Sequence, residues 1–384
     1  MPLLEAVAAP VLWGCLALLA YIYVGYPLTL ILLPERPLKR LRSPTTLPHV
    51  TVVIAAFNEV RHIAATVTNK LTQNYPPNHL DVVVVSDGSE DGTDEAVAAL
   101  NSPRVTLLRQ EPRQGKTMAL NRAMQYAAGE IIVFSDANSI YEPDAVARLV
   151  APFDDPSVGY VTGQLHYRDP GETSVGGGSG MYMRYESWLR RLETRVGSIV
   201  GVNGGIDAVR RELYDPMRAD HLPDFILPLR VLTKGRRVVF SEDAICREDA
   251  LGHHHDEYKM RVRVSLRALH TLSEMRHLFG QKHGLFAFEL LVHKLLRYLI
   301  VFPLAGAFLA NAALINQPFY AAMFVAQSIC YLLALVGWAG GGRIRWKPVF
   351  VAFYFCLVNF AAAVALIRFM RGQRTVLWTP RKGA

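Results

Sequence analysis

Residues 11–33 carry no charged side chain. About 20 consecutive apolar residues are what a helix needs to cross a bilayer, and only a segment that satisfies its own backbone polar groups is stable there. The chain therefore begins with a membrane helix, and everything after it must fold beside a lipid surface. The basic run that follows, Arg36, Lys39, Arg40 and Arg42, puts the N-terminus outside and the next segment in the cytoplasm by the positive-inside rule. A cleaved signal peptide fits poorly, because the apolar run is too long, no basic segment precedes it and no small-x-small site follows.

Apolar runs return at 299–315, 319–338 and 348–367. One early and three late spans would leave the basic tail from Arg368 to Lys382 outside, against the same rule. The run at 299–315, short and interrupted by Pro303, is the one expected to lie at the interface or to re-enter. Just before it, 285–299 mixes His293, Lys294 and Arg297 with aliphatic residues, the pattern of an amphipathic helix on the membrane surface. The formal charge of +8 is concentrated beside these segments, which suits anionic lipid and not nucleic acid. Cys15, Cys330 and Cys356 fall in membrane runs and Cys246 stands alone, so neither a disulfide framework nor a zinc site is indicated.

Between the ends the pattern changes to strand–helix alternation. Strands are expected at 50–56, 82–86, 105–108 and 131–134, and helices at 63–73, 93–100, 118–128 and 144–150. Short apolar strands alternating with helices imply a largely parallel sheet covered on both faces. The segment 169–180, with Gly176-Gly177-Gly178, reads as a flexible loop. The organisation is then an N-terminal helix and basic linker (1–47), an α/β domain (48–270), interfacial helices (271–298), and C-terminal membrane helices with a basic tail (299–384).

Ligands of open α/β sheets bind at the carboxyl ends of strands. Three strands deliver polar residues to that edge. The fourth ends in Ser135-Asp136-Ala137-Asn138, where a carboxylate and an amide oxygen two residues on could hold a divalent cation; a helix-capping Asp is the plainer alternative. The second ends in Ser86-Asp87-Gly88-Ser89, where Asp87 either meets a nucleoside or only makes a turn. The first ends in Asn58-Glu59. Gly115-Lys116-Thr117 opens a helix; it fails the P-loop pattern, since Gln110 stands where a glycine is needed. Lys116 could meet phosphate at the helix start or be a solvated lysine. Asp224, between Pro223 and Phe225, is a helix cap or a general base in an apolar setting. His253-His254-His255 is a possible metal cluster or an exposed loop.

Taken in order, these segments, with Val50 to Ala56, Gly115 to Asn121, Gly204-Gly205, Arg210 to Leu213 and Asp224-Phe225, resemble the inverting, membrane-bound family 2 glycosyltransferases of GT-A fold, the group that includes chitin, hyaluronan and cellulose synthases. The resemblance covers residues 48–270. It implies that Glu59 and Asp87 bind the nucleoside of a nucleotide-diphosphate sugar and that Lys116 lies near the nucleotide. Asp136 would hold the diphosphate through Mg or Mn, with Asn138 as second metal ligand. Asp224 would deprotonate the acceptor hydroxyl. Ala55 and Gly205 complete the donor-binding set. Asn138 stands where the family has a second Asp, and Ala55 where it has Pro. The processive synthases carry Gln-x-x-Arg-Trp near the membrane. Here that stretch is Met260-Arg261-Val262-Arg263-Val264, which keeps Arg263 as a diphosphate contact but lacks the Trp, so a short product is expected. The function so implied is transfer of a sugar, from a UDP-sugar before other donors, to a glycan or glycolipid hydroxyl at the cytoplasmic face of the inner or plasma membrane. A lipid carrier such as polyprenyl phosphate is the alternative acceptor. A non-enzymatic transporter or scaffold fits less well, because the late spans lack acids.

Overall fold

A computed structural model describes residues 2–39, 47–168, 174–249, 254–341, 344 and 346–376. The chain divides into two compact units. One comprises residues 34–168, 183–249 and 374–384; the other comprises 1–33, 169–182 and 250–373.

The first unit is built on an eight-stranded sheet: β1 (Val50–Ala56), β2 (Leu80–Asp87), β3 (Val105–Gln110), β4 (Ile131–Asp136), β5 (Ile140–Tyr141), β6 (Val158–Arg168), β7 (Asp207–Arg210) and β8 (Arg237–Asp249), in the order β3-β2-β1-β4-β7-β6-β8-β5. Strands β3, β2, β1 and β4 are parallel, as are β6 and β8, while β7 runs antiparallel between β4 and β6. The valine- and isoleucine-rich β1 is buried at every position, as expected of a strand covered on both faces. On one face Val52, Ile54, Val82, Val84 and Val133 pack with Ile63 and Val67 of the Ile63–Leu71 helix. The Lys116–Ala123 helix, whose Ala119, Leu120 and Ala123 are buried, packs on β1 and β2.

Because the central strands are parallel and in register, Ala55 lies opposite both Val85 and Asp136, and Asp87 opposite Gln110. The ends of β1, β2 and β4 therefore share one edge, as the strand pattern predicts. The segment read as a loop behaves differently: from Ser174 it is helix, continuing to Val196, while 169–173 lie outside the described residues. A helix-interior glycine costs about 1 kcal/mol. The stretch from Met183 onward, with buried Leu189, Arg190 and Glu193, is a sustained helical pattern, and helix growth from such a segment is far easier than nucleation.

Among the described residues of the second unit, three helices are long and apolar enough to cross a membrane: Glu5–Leu32, Pro318–Ala339 and Lys347–Met370. The helix Val301–Ala313 has 13 residues, about 20 Å at 1.5 Å per residue, short of the ~30 Å hydrocarbon core. Ala8 and Leu12 pack against its Ala307 and Ala310. The His254–Glu274 helix packs Val262, Leu266 and Leu269 against Ala361, Ala365 and Leu366 of Lys347–Met370. The 285–298 stretch is helical with a π turn at Leu290–Leu295. Its Glu289 and His293 are buried, and His293 sits 5.7 Å, ring to ring, from Tyr26.

Candidate active site

Asp136 ends β4, and Lys116 reaches it from the start of its helix to form an ion pair. Gly115 precedes Lys116 at φ +96, a conformation open to glycine. This turn is held by Asp87, which is fully buried and accepts hydrogen bonds from the N–H of Gln114 (2.8 Å), the N–H of Gly115 (2.8 Å) and Gln110 Nε2 (2.6 Å). Arg113 Nε faces the same carboxylate at 3.7 Å, so Asp87 first shapes the Lys116 turn. Lys116 is thus held in its ion pair with Asp136.

The other end of the same helix is tied to the segment leading to Asp224. Asn121 Nδ2 donates to Met217 O (2.7 Å), and Asn121 Oδ1 accepts from Met217 N (3.0 Å) and from the Tyr214 hydroxyl (2.7 Å). Thr117 Oγ1 donates to His221 O (3.0 Å). Asp224 lies in the first turn of the Pro223–Thr233 helix, whose N-cap is Leu222. It is therefore not the cap, and it stands where the helix dipole favours a carboxylate.

Gly204 and Gly205 sit between the two acids. A Cβ on Gly204 would stand 2.8 Å from Asp224 Oδ2; on Gly205, at φ +93, it would stand 2.8 Å from Glu248 Oε1, 2.9 Å from Ser139 Oγ and 3.5 Å from Asp136 Oδ2. The glycine pair permits the convergence. Asp207, two residues on, is buried and accepts from the Tyr160 hydroxyl. Burial pushes its pKa well above the carboxylate range; the Tyr160 hydrogen bond opposes this, and repulsion from Asp224 adds to it. Burial acts to lower the Lys116 pKa, but attraction to Asp136, Asp224 and Asp207 outweighs it, and the net shift is upward. Asp136 and Asp224 thus share the electrostatic surroundings of a single ammonium, that of Lys116.

Glu59 occupies the turn after β1, its N–H donating to Thr93 Oγ1 (2.9 Å). Asn58 ties that turn to the next strand end: its N–H donates to Ser89 Oγ (3.1 Å) and its Oδ1 accepts from Glu90 N (2.9 Å). Asn138 is half-buried in the turn after β4. Among the described residues no three His, Cys, Asp or Glu side chains form a metal cage. Asp136 and Asn138, two residues apart at the end of β4, are the oxygen-bearing side chains there that could hold a Mg- or Mn-type ion. His253 lies outside the described residues; His254 packs edge-on against Phe353. Arg263 belongs to the second unit, half-buried on the His254–Glu274 helix. On the same helix Arg261 donates to Glu257 Oε1 (2.9 Å) and to the Tyr354 hydroxyl (2.6 Å).

The sequence profile of Glycosyl transferase family 2 matches residues 51–217. Residues 51–217 form a family 2 glycosyltransferase domain. Around this family 2 domain the chain is 29% identical over 174 residues to a beta-monoglucosyldiacylglycerol synthase of Trichormus variabilis, covering 44% of this chain and 37% of the relative. It is 27% identical over 158 residues to the poly-beta-1,6-N-acetyl-D-glucosamine synthase of Staphylococcus aureus, covering 40% and 38%. The chain thus spans under half the length of these curated relatives. A mannosyltransferase of Pyrobaculum calidifontis, solved in complex with GDP-Man and Mn2+, superposes with a TM-score of 0.76 at 24% identity, over 96% of this chain and 99% of the other. That likeness establishes the GT-A fold.

Sequence reasoning singled out Asp136, Lys116, Asp224 and Gly205, which come together in the first unit. It passed over Asp207, Ser139 and Glu248. An acid at a strand start (Asp207) and one late in a strand (Glu248) carry no local signal of their partners.

Proposed function

We propose that this protein is an inverting glycosyltransferase that moves a sugar from a nucleotide-diphosphate sugar to the hydroxyl of a glycan or glycolipid at the cytoplasmic membrane face. The observation that carries the reading is the meeting of Asp136, Lys116 and Asp224 around Gly204-Gly205 within a family 2 domain. Asp224 accepts the proton of the acceptor hydroxyl. The freed oxygen attacks the anomeric carbon as the bond to the diphosphate breaks on the opposite side, with inversion. Lys116 donates to the departing phosphate. Asp136 and Asn138 would hold a Mg or Mn ion, which would supply positive charge to the leaving diphosphate. Glu59, Asp87, Ala55 and Gly205 shape the nucleotide pocket.

The cytoplasmic orientation is supported by charge. With the three spans among the described residues, the Arg36–Arg42 flank and the tail from Arg368 share one side; together they carry more basic residues than the sequence between the second and third spans, with Arg343, Arg345 and Lys347. UDP-sugars are the first donors to test. GDP-mannose belongs beside them, given the Pyrobaculum complex. A lipid acceptor, including polyprenyl phosphate, is a second reading, favoured by the membrane helices and by the diacylglycerol in one relative's name. Membrane vesicles incubated with labelled UDP-glucose, UDP-N-acetylglucosamine and GDP-mannose should transfer label to a glycan or lipid fraction from one donor. Neither transfer nor hydrolysis of any nucleotide sugar would favour a non-enzymatic scaffold. Sizing the product at limiting acceptor tests the expectation of short additions.

A further inference from the structure

The turn that carries Asn138 is gripped from behind by one helix. Along Ile63–Leu71, Thr66 Oγ1 donates to Ala137 O (2.7 Å), and Lys70 Nζ donates to Ser139 O (2.5 Å) and Asn69 Oδ1 (3.1 Å). Asn69 exchanges two bonds with the Tyr141 backbone, donating from Nδ2 to O (2.9 Å) and accepting from N (2.8 Å). Alternate carbonyls of the segment, at 137, 139 and 141, are thus each held by a side chain of one helix. Lys70 also lies 3.7 Å over the Tyr141 ring.

Holding one carbonyl does not call for a charge, yet Lys70 is fully buried, and lysines are almost never so buried unless paired. The acid connected to it is Glu248 on β8, 1% exposed and reached through Ser139. Ser139 joins the two: its carbonyl accepts a hydrogen bond from Lys70 Nζ, and its hydroxyl donates to Glu248 Oε1 (2.5 Å). Glu248 in turn lies against the Gly205 position that also meets Asp136. A carboxylate there without a counter-ion would compete with Asp136 for any arriving cation; Lys70 neutralises it at a distance.

We propose that Lys70, acting through Ser139 and Glu248, is a positioning residue of the donor site that fixes the Asp136-Ala137-Asn138 segment in its cation-holding geometry. This rests on the reading of Asp136 and Asn138 as metal ligands. The test measures Mn2+ binding to the purified full-length protein, with saturating UDP and, separately, GDP, by the electron paramagnetic resonance of free Mn2+. Melting temperature is followed alongside. Lys70→Met should lose both thermal stability and Mn2+ affinity, since it strands Glu248. Lys70→Met combined with Glu248→Gln leaves no unpaired charge and should regain most of the melting temperature, yet still bind Mn2+ at least tenfold more weakly. Lys70→Arg should recover part of the affinity. Ser139→Ala, which removes only the hydroxyl link, should weaken Mn2+ binding severalfold even if the double variant does not fold. Wild-type Mn2+ affinity in the folded double variant, or in Ser139→Ala where the double variant does not fold, overturns the proposal. Asp136→Ala separates the two readings: if it too binds Mn2+ as wild type does, the metal site itself is misassigned, whereas loss in Asp136→Ala alone removes only the role of Lys70.

Discussion

Asp224 and Asp136 press on adjacent glycines but have different partners, and so are expected to fail differently. Asp136 is ion-paired with Lys116 at the end of a strand, while Asp224 lies in the first turn of a helix between buried Pro223 and Phe225. Asp224→Asn keeps the shape and removes the base, so transfer should fall about 10²- to 10⁴-fold with donor affinity nearly unchanged. Near-wild-type turnover by the purified variant would take Asp224 out of the chemistry. Asp136→Ala should abolish metal-dependent donor binding and activity together. Asn138→Asp adds a charge to the same site and should tighten Mn2+ binding; an unchanged affinity in a metal titration would place Asn138 outside the coordination shell. The identity of each acid and its strand or helix setting were legible in the sequence, because an apolar run ending in Asp is a local pattern. That Lys116 would be the partner of Asp136 was not, because ion pairing depends on where a helix start lands beside a strand end.

At the scale of elements, two helices do the positioning. The Lys116–Ala123 helix locks Lys116 to the Asp224 segment through Asn121. Asn121→Ala leaves the Met217 N–H and C=O and the Tyr214 hydroxyl without this partner. It should cost about 1–3 kcal/mol of stability and lower kcat more than donor affinity, as read by denaturation and steady-state kinetics. Unaltered kcat in a destabilised variant would make Asn121 a structural tie only. The Ile63–Leu71 helix holds the Asn138 turn from behind through Thr66, Asn69 and the buried Lys70. The first four long strands and their helices, up to Val150, followed from periodicity, but which helix faces which loop did not, since both faces of the sheet accept amphipathic helices equally well.

For the whole molecule, three span-length helices and the basic flanks predict a tail on the same side as the family 2 domain. A cysteine-reactive, membrane-impermeant label or a protease applied to right-side-out vesicles should leave a tag placed after Arg374 untouched; modification from outside would reverse the proposed orientation. The charge-free runs, strand ends and glycine pair were determined by the sequence alone, because bilayer crossing, sheet burial and positive φ are each set by the chemistry of a few adjacent residues. Membrane span number needed helix length: the run at 299–315 is apolar enough, yet its helix closes after 13 residues. The segment at 174–180 needed its neighbours, because three glycines argue against a helix until a longer one continues through them. The donor-site network was decided only by the tertiary structure. Ser139 and Glu248 are 109 residues apart, and a buried charge is tolerable only where folding delivers its counter-charge, a condition that no local pattern of residues records.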